Sequence, residues 1–228
     1  MRTQEKRATR FRSIQTSLLF VIVPAVIISM AVLSLMGYLS SKAIIQTSAG
    51  TEMSQCLSVA MGSIEMSLSN NRMVAETMAR GVEAIQRQAV KGDQTASDWD
   101  AAAYQEILTS FVGSNPETFG GGIWFEPYQY RPEQRYFSPY CMRQNGAVTY
   151  VDNYSLGEGV YYTDQDWYTN AANTTQKSVW SAPYYDEFAQ ISMVTSSAPI
   201  YDETGRFLGV ATADIDLTQM QQMVLSLD

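Results

Sequence analysis

Residues 120–150, GGGIWFEPYQYRPEQRYFSPYCMRQNGAVTY, decide the fold class of this chain of 228 residues. Three glycines lead into the apolar run Ile123–Phe125, and an aromatic-rich run follows over 134–143. Asn145-Gly146 is the strongest short signal for a tight hairpin turn, and the residues after it predict the returning strand. The stretch therefore predicts antiparallel strands joined by hairpins.

The chain after residue 150 predicts that the sheet continues. A loop rich in tyrosine and glycine covers 152–164, and a short helix covers 165–172. Asp202–Arg206 predicts a tight turn between two later strands, and a helix over 218–227 closes the chain. Three further strand candidates lie at 179–184, 191–200 and 207–215.

The part before residue 120 predicts two helices. Residues 42–91 contain no proline and read as one long helix, and a second helix begins near Ser97, a suitable N-terminal cap, and includes Phe111. Helices followed by an antiparallel sheet of about five strands make an α+β module. We therefore expect a long helix over 40–92 and a folded module over 93–228.

Apolar or small residues recur along the long helix at steps of three and four. This heptad-like spacing suits two arrangements equally well: packing on the helix's own domain, or pairing with a second copy of the chain in a homodimer. The sequence leaves both open. The positions, with Asn71 as the polar exception, are Leu57, Met61, Ile64, Leu68, Ala75, Met78, Val82, Ile85 and Ala89.

A membrane-spanning helix is predicted before the long helix. No residue between Ser13 and Ser41 is charged, and the apolar run 18–39 exceeds the roughly 20 residues needed to span a bilayer. A cleaved signal peptide is the alternative, but its apolar region is normally only about 7–15 residues long. We expect a basic cytoplasmic tail over 1–13, a span over 14–39 and the rest of the chain outside, because basic residues cluster before the span.

Composition excludes several classes of function. The net charge is −8, and five of the fifteen basic residues lie before residue 13, so the outer part is strongly acidic and is not expected to offer a basic face to nucleic acid. The chain contains no histidine, which removes histidine-assisted nucleophiles and the commonest transition-metal ligand. We expect no catalytic residue, metal site or cofactor. Cys56 and Cys141 are interpreted as packed thiols, with a disulfide as the alternative.

Five short strings stand out in the outer part: GIWFEP at 122–127, QDWY at 165–168, VWSAPY at 179–184, SAPIYD at 197–202 and GVATADI at 209–215. In this order and spacing they make residues 40–228 resemble a Cache sensor domain, in particular the membrane-distal module of double Cache receptors. That family includes methyl-accepting chemotaxis proteins, sensor kinases, diguanylate cyclases and receptor phosphatases. The resemblance implies a PAS-like sheet that binds a small molecule outside the cell, as the input part of a transmembrane signalling receptor.

The amino-acid-binding version of that family carries the motif Tyr, Arg-x-Trp-Tyr, Tyr and Asp. The arginine position falls on Gln165, and a glutamine amide lacks the two-pronged, charged grip of a guanidinium on a carboxylate. The other positions match by residue type and approximate spacing at Trp167, Tyr168, Tyr184 and Asp214, with the first tyrosine near Tyr161 or Tyr162.

The residues that this resemblance places around the pocket are aromatic and acidic. No basic residue lies between Arg143 and Lys177, or between Lys177 and Arg206. Aromatic faces beside a carboxylate suit a cation, so we expect a small amine or amino-acid-like ligand. Arg131, Arg135 or Arg143 could instead fold over the pocket and replace the lost arginine. The predicted ligand-binding residues are Tyr162, Gln165, Trp167, Tyr168, Tyr184, Asp186 and Asp214, although any one aromatic or acid in this set also suits plain packing or a solvated surface.

Two other classes of function stay open on the sequence. One is a ligand-free module that only mediates dimerisation. The other is a membrane-anchored hydrolase that works with paired carboxylates. The absence of histidine and of a recognisable nucleophile motif argues against the hydrolase.

Overall fold

The computed structural model describes residues 14–91, 101–151, 154 and 159–226, which fall into two compact units, 1–57 and 58–228. Helix α1 runs without a break over Ile14–Lys91. The part of α1 in the first unit contains an apolar stretch that is long enough to cross a membrane, and none of it is buried in the fold. Pro24 lies inside this stretch, where a spanning helix tolerates proline.

In the part of the chain that the structure describes, the second unit contains the C-terminal part of α1, three further α-helices and one sheet. All strand pairs are antiparallel. The strand order is β3-β2-β1-β7-β6-β4, and β5 also pairs with β6. In chain order the elements are α2 (Ala101–Ser114), β1 (Gly120–Phe125), β2 (Tyr140–Gln144), β3 (Ala147–Val151), α3 (Asp166–Ala172), β4 (Val179–Trp180), β5 (Tyr184–Asp186), β6 (Ile191–Tyr201), β7 (Phe207–Asp216) and α4 (Leu217–Leu225).

The predicted α+β class is confirmed, with seven strands in place of about five. The strand predicted over 179–184 is two short strands, β4 and β5, and Pro183 in the break between them has no N–H to give to a ladder. The strand predicted from 134 begins only at Tyr140, because Pro139 directly before it is equally unable to donate. The hairpin after β2 is confirmed, since Asn145 and Gly146 adopt φ values of 51° and 80°. The predicted helix start near Ser97 lies outside the described residues.

The sheet separates two apolar cores. Successive residues of a strand point to opposite faces, so Ile123 and Phe125 face one core and Trp124 faces the other. Helices α1 and α2 cover the first face, with Met78 and Tyr104 fully buried. Helix α3 covers the second face, which is dominated by tyrosine and tryptophan side chains.

The middle of the heptad-like spacing on α1 packs on its own domain. Ala75, Met78 and Val82 are fully buried. Asn71, the polar exception, is fully buried too, and its Oδ1 accepts a hydrogen bond of 2.8 Å from the Thr118 hydroxyl. The seam residues Leu57 and Met61, by contrast, are more than half exposed.

Three polar or thiol side chains can be placed individually. Asp216 caps α4, because its carboxylate accepts a hydrogen bond of 2.7 Å from the Thr218 amide. Both cysteines are free thiols; Cys141 is buried and Cys56 is half-buried. Burial raises the pKa of the Cys141 thiol to about 12, so this side chain stays protonated and unreactive at neutral pH.

Candidate ligand-binding site

A small cavity, almost filled by its own side chains, lies between α3 and the aromatic face of the sheet. We call it the aromatic box. It leaves about 10 Å³ of open space, which is room for about one water molecule. Its walls are Trp124, Tyr140, Tyr154, Trp167, Tyr184, Asp186, Met193, Thr195, Thr212 and Asp214.

Asp214 is the acid of the box whose pKa is shifted to near neutral pH. It lies near the end of β7 with 3% of its surface exposed. One carboxylate oxygen accepts a hydrogen bond of 2.7 Å from the Tyr140 hydroxyl, and the other accepts one of 2.7 Å from Thr195. Burial raises the pKa of Asp214 to about 7, although both hydrogen bonds lower it, and Asp186 nearby adds to the rise. A buried acid with such a pKa in a cavity is a candidate functional group.

Asp186 is the second acid of the box. Its Oδ1 accepts hydrogen bonds from the Tyr154 hydroxyl at 2.5 Å and from the Ala189 amide at 2.7 Å. Burial raises the pKa of the Tyr154 phenol far above its ordinary value, and the hydrogen bond to Asp186 raises it further. Tyr154 therefore remains a neutral donor, and it supplies no positive charge to balance the acid.

Two glycines of β1 make room for the rings of the box. A Cβ atom on Gly120 would come within 2.2 Å of the Tyr140 hydroxyl, and one on Gly122 would come within 2.7 Å of the Trp124 indole. Only glycine leaves space for such close approach. The glycine run that opens the strand therefore allows Tyr140 to reach Asp214 and Trp124 to fold over the sheet, where its Nε1 donates to Thr212 at 2.8 Å.

The structure brings four of the predicted ligand-binding residues together in the box. Trp167, Tyr184, Asp186 and Asp214 all line it. The Tyr184 hydroxyl lies 2.8 Å from the Thr195 hydroxyl, which in turn donates to Asp214, so Tyr184 belongs to the same hydrogen-bonded network.

The other three predicted residues lie outside the box. The Tyr162 hydroxyl donates to the Phe125 carbonyl at 2.6 Å, and the Tyr168 hydroxyl donates to the Glu126 carboxylate at 2.6 Å. Both hydroxyls therefore have hydrogen-bond partners within the fold. Gln165 lines an adjoining surface cavity, and its amide nitrogen lies 3.4 Å from the Tyr161 carbonyl.

That adjoining cavity, which we call the outer groove, has a volume of about 310 Å³. It shares two walls with the box, Trp167 and Tyr184. The groove is lined by Asp164, Gln165, Asp166, Trp167, Ser181, Ala182, Pro183, Tyr184 and Tyr185. Within the described residues, neither the box nor the groove has a lysine or an arginine in its lining.

The arginines that could have replaced the missing one are placed elsewhere. The Arg143 guanidinium donates to the carbonyls of Val112, Asn115 and Thr118 at the end of α2. The Arg135 guanidinium lies 4.9 Å from the centre of the Tyr136 ring, and that of Arg131 lies 4.9 Å from the centre of the Tyr130 ring.

Sequence reasoning missed Trp124 of β1, Tyr140 of β2 and Tyr154, which all line the box. Tyr140 and Tyr154 pack on each other with ring centres 4.7 Å apart, and Trp124 packs on Trp167 at 4.7 Å. The alternation of Gly120, Gly122 and Trp124 along one face of β1 was the available signal for Tyr140 and Trp124. No comparable pattern in the sequence marks Tyr154.

Comparison with known proteins identifies the family. Residues 104–222, just over half of the chain, match the family described as methyl-accepting chemotaxis protein-like, first PDC sensor domain. A stretch of 62 residues, 27% of this chain and 9% of the relative, is 39% identical to the methyl-accepting chemotaxis protein McpC of Bacillus subtilis. The match therefore spans only a small part of that receptor.

Solved structures agree in fold. The extracellular domain of the predicted histidine kinase mmHK1S-Z3 superposes with a TM-score of 0.55 at 23% identity, over 70% of this chain and 56% of that one. The ligand-binding domain of the Campylobacter jejuni chemoreceptor Tlp3, in complex with 4-methylisoleucine, gives a TM-score of 0.53 at 16% identity, over 74% and 59% of the two chains. The chain thus spans little more than half the length of these structures, and the resemblance to a Cache module is confirmed. The chain belongs to the methyl-accepting chemotaxis protein-like family of first PDC sensor domains.

Proposed function

We propose that this chain is the extracytoplasmic sensing part of a transmembrane receptor and that the aromatic box captures a small amine. One observation carries the proposal: two buried acids, Asp186 and Asp214, face an aromatic cavity whose described lining contains no basic residue. A buried carboxylate without a counter-charge is costly. A ligand that brings an ammonium group removes that cost and gains attraction to the ring faces, by about 0.5–2 kcal/mol for each well-placed ring.

The same site is poorly suited to a ligand carboxylate. Gln165 stands where the amino-acid readers of the family carry arginine, and Arg131, Arg135 and Arg143 are all held away from the box lining. A ligand carboxylate would meet only neutral donors and acids of its own sign. Tlp3 forms a complex with 4-methylisoleucine, but at such low identity the likeness concerns the fold and leaves the ligand of this chain to be argued from its own residues.

The test compares an amino acid with its decarboxylated amine. We expect 3-methylbutylamine to bind the purified chain at least tenfold more tightly than leucine, because the two ligands share the side chain and the ammonium group and differ in the carboxylate. Isothermal titration calorimetry in detergent measures both constants. Tighter binding of leucine would contradict the charge argument.

A second candidate function is a ligand-free module, and the closed state of the box favours it. About 10 Å³ of space admits no organic ligand unless side chains move. The calorimetric titration separates the two functions, since a ligand-free module shows no saturable heat with amines or amino acids. We propose no catalytic role for the two acids of the box.

We propose that residues 40–228 lie outside the cytoplasm, because basic residues cluster before the apolar stretch of α1. Met66 is 62% exposed and is a suitable reporter once Cys56 is replaced by serine, since Cys141 is buried and unreactive. A Met66→Cys variant should react with a membrane-impermeant maleimide in intact cells. Labelling only after lysis would show that this part of the chain lies in the cytoplasm and would contradict the proposed orientation.

Hydrogen bonds connect the aromatic box with α1. The Asp214 carbonyl accepts a hydrogen bond of 2.8 Å from the Phe119 amide. The neighbouring Thr118 donates its hydroxyl to the buried Asn71 of α1 at 2.8 Å. A change at Asp214 therefore reaches the long helix through two residues, and we propose that ligand binding shifts α1 between two packed arrangements.

We further propose a homodimer through α1. The face of the helix that packs on its own sheet is not available to a second copy, but Val59, Met66 and Met73 are each more than half exposed and recur at intervals of seven residues. Apolar residues at this period suit pairing with an identical helix.

Cysteine crosslinking tests the dimer. In the Cys56→Ser background, we expect oxidation to crosslink Met66→Cys and Met73→Cys efficiently, because each would meet its own copy near the symmetry axis. Met78→Cys, buried against the sheet, is the matched control and should stay monomeric on a denaturing gel. Equal crosslinking at all three positions, or at none, would count against this interface.

A further inference from the structure

The two acids of the aromatic box accept hydrogen bonds from different donors. Asp214 takes its hydrogen bonds from Tyr140 and Thr195. Asp186 takes its hydrogen bonds from Tyr154 and the Ala189 amide. The two carboxylates have no partner in common among these contacts, so each is a separate position for a positive charge.

The strand register holds these positions apart. Asp186 on β5 pairs with Ile191 of β6, and Asp214 on β7 pairs with Thr195 of β6. The acids therefore reach the box from opposite sides of β6, through backbone positions that pair four residues apart along it, while both side chains line the same cavity. A single ammonium group makes hydrogen bonds of about 2.7–2.9 Å to a carboxylate. It therefore binds and neutralises one of the two acids at a time.

We propose that the ligand is a short aliphatic diamine, with one ammonium group at Asp214 and the other at Asp186. This inference rests on the proposed function and narrows its ligand class. In the closed state the Tyr140 and Tyr154 phenols occupy the two carboxylates as neutral donors. A dication replaces both phenols and neutralises both acids, whereas a monocation leaves one buried acid without a counter-charge. The rings of Trp124, Trp167 and Tyr184 then contact the methylene chain.

The route for opening is also present. Trp167 and Tyr184 line both the box and the outer groove, whose volume is about 310 Å³. Movement of these two rings joins the cavities into a space within the range of about 300–1,000 Å³ that small-molecule sites occupy. The outer groove is also lined by Asp164 and Asp166. Their negative charges favour cations over anions at the entrance.

The experiment compares three ligands with the same four-carbon chain on the full chain in detergent: 1,4-diaminobutane, 1-aminobutane and 4-aminobutanoate. We expect calorimetry to show the diamine binding at least tenfold more tightly than the monoamine, and 4-aminobutanoate binding most weakly. Asp186→Asn should lower the diamine affinity to that of the monoamine, whereas Asp216→Asn, which lies outside the lining of the box, should change the diamine affinity less than threefold. Asparagine keeps an acceptor for Tyr154, so the variant retains the internal contacts of the box.

The outcomes distinguish this inference from the proposed function. A monoamine that binds as tightly as the diamine overturns the diamine inference and leaves an amine sensor. A diamine affinity that Asp186→Asn does not change overturns the assignment of the second charge position. Tightest binding of 4-aminobutanoate, or no binding of any of the three ligands, overturns both the inference and the proposed function.

Discussion

Replacing Asp214 with asparagine is expected to weaken amine binding by at least about 30-fold, since removing one partner of a buried, hydrogen-bonded charge pair costs about 2 kcal/mol or more. Asparagine has nearly the same shape and keeps one oxygen to accept from Tyr140 or Thr195, whose contacts to Asp214 are both 2.7 Å. The second hydroxyl is able to turn and accept from the new amide. The variant should therefore fold, and the loss should appear in affinity. Calorimetric titration of the full chain with a simple amine measures it.

Asp216→Asn is the matched control for this experiment. Asp216 lies two residues further along β7, is 8% exposed and is absent from the lining of the aromatic box. Its role is to cap α4, and asparagine caps a helix about as well as aspartate. The control removes one negative charge from the same strand without touching the site, so amine affinity should change less than threefold. Equal losses in the two variants would show that long-range charge, and not contact with Asp214, holds the ligand.

The overall architecture was accessible from sequence because local patterns and tertiary structure agree there. Asn145-Gly146 predicts a hairpin turn from its own local conformational preference. The short strings around Trp124 and Asp214 have the spacing of a known sensor family. The strand count was harder to obtain. A strand shorter than four residues carries no readable alternation, so β4 and β5 merged into one predicted strand.

The heptad-like spacing on α1 shows a different limit. Periodicity reports that one face of a helix is covered, but it does not report which surface covers it. The structure shows the domain's own sheet covering Ala75, Met78 and Val82, while the exposed residues Val59, Met66 and Met73 follow a second period on another face. A single sequence gives no means of ranking these two faces.

The candidate site was predicted in part. Spacing within the family motif led to Trp167, Tyr184 and Asp214, which share one cavity, and it also led to Tyr168, which points away into the core. Trp167 and Tyr168 are adjacent on α3, and adjacent residues of a helix face different directions. Residue type alone does not reveal which of the two faces the ligand. Tyr140 and Tyr154 were missed because their places in the box depend on tertiary contacts: Tyr140 packs over Gly120 of β1, and Tyr154 reaches Asp186 of β5.

The unliganded chain should become less stable as the pH rises from 5 to 8, and Asp214 should account for a loss of about 3 kcal/mol. Burial raises the pKa of this carboxyl to about 7 in the folded state, whereas an unfolded aspartate titrates near pH 3.9, on the order of three pH units lower. Between these values the unfolded chain has released the proton that the folded chain still holds. The free energy of unfolding therefore falls with rising pH, by about 1.4 kcal/mol per unit, until the folded carboxyl also ionises near pH 7.

The comparison of wild type with Asp214→Asn isolates this contribution, because every other titrating group is common to the two chains. Urea unfolding at pH 5 and pH 8, followed by tryptophan fluorescence, is a suitable measurement, since Trp124 and Trp167 form walls of the box. From pH 5 to pH 8, the free energy of unfolding of the variant should rise by about 3 kcal/mol relative to that of the wild type. A stability difference that stays constant over this range would mean that Asp214 is already ionised at pH 5 in the folded chain, and the box would then carry its negative charge without any ligand. A difference that grows as expected would mean that the closed box is stable because Asp214 is neutral, and that a bound cation must stabilise the ionised form.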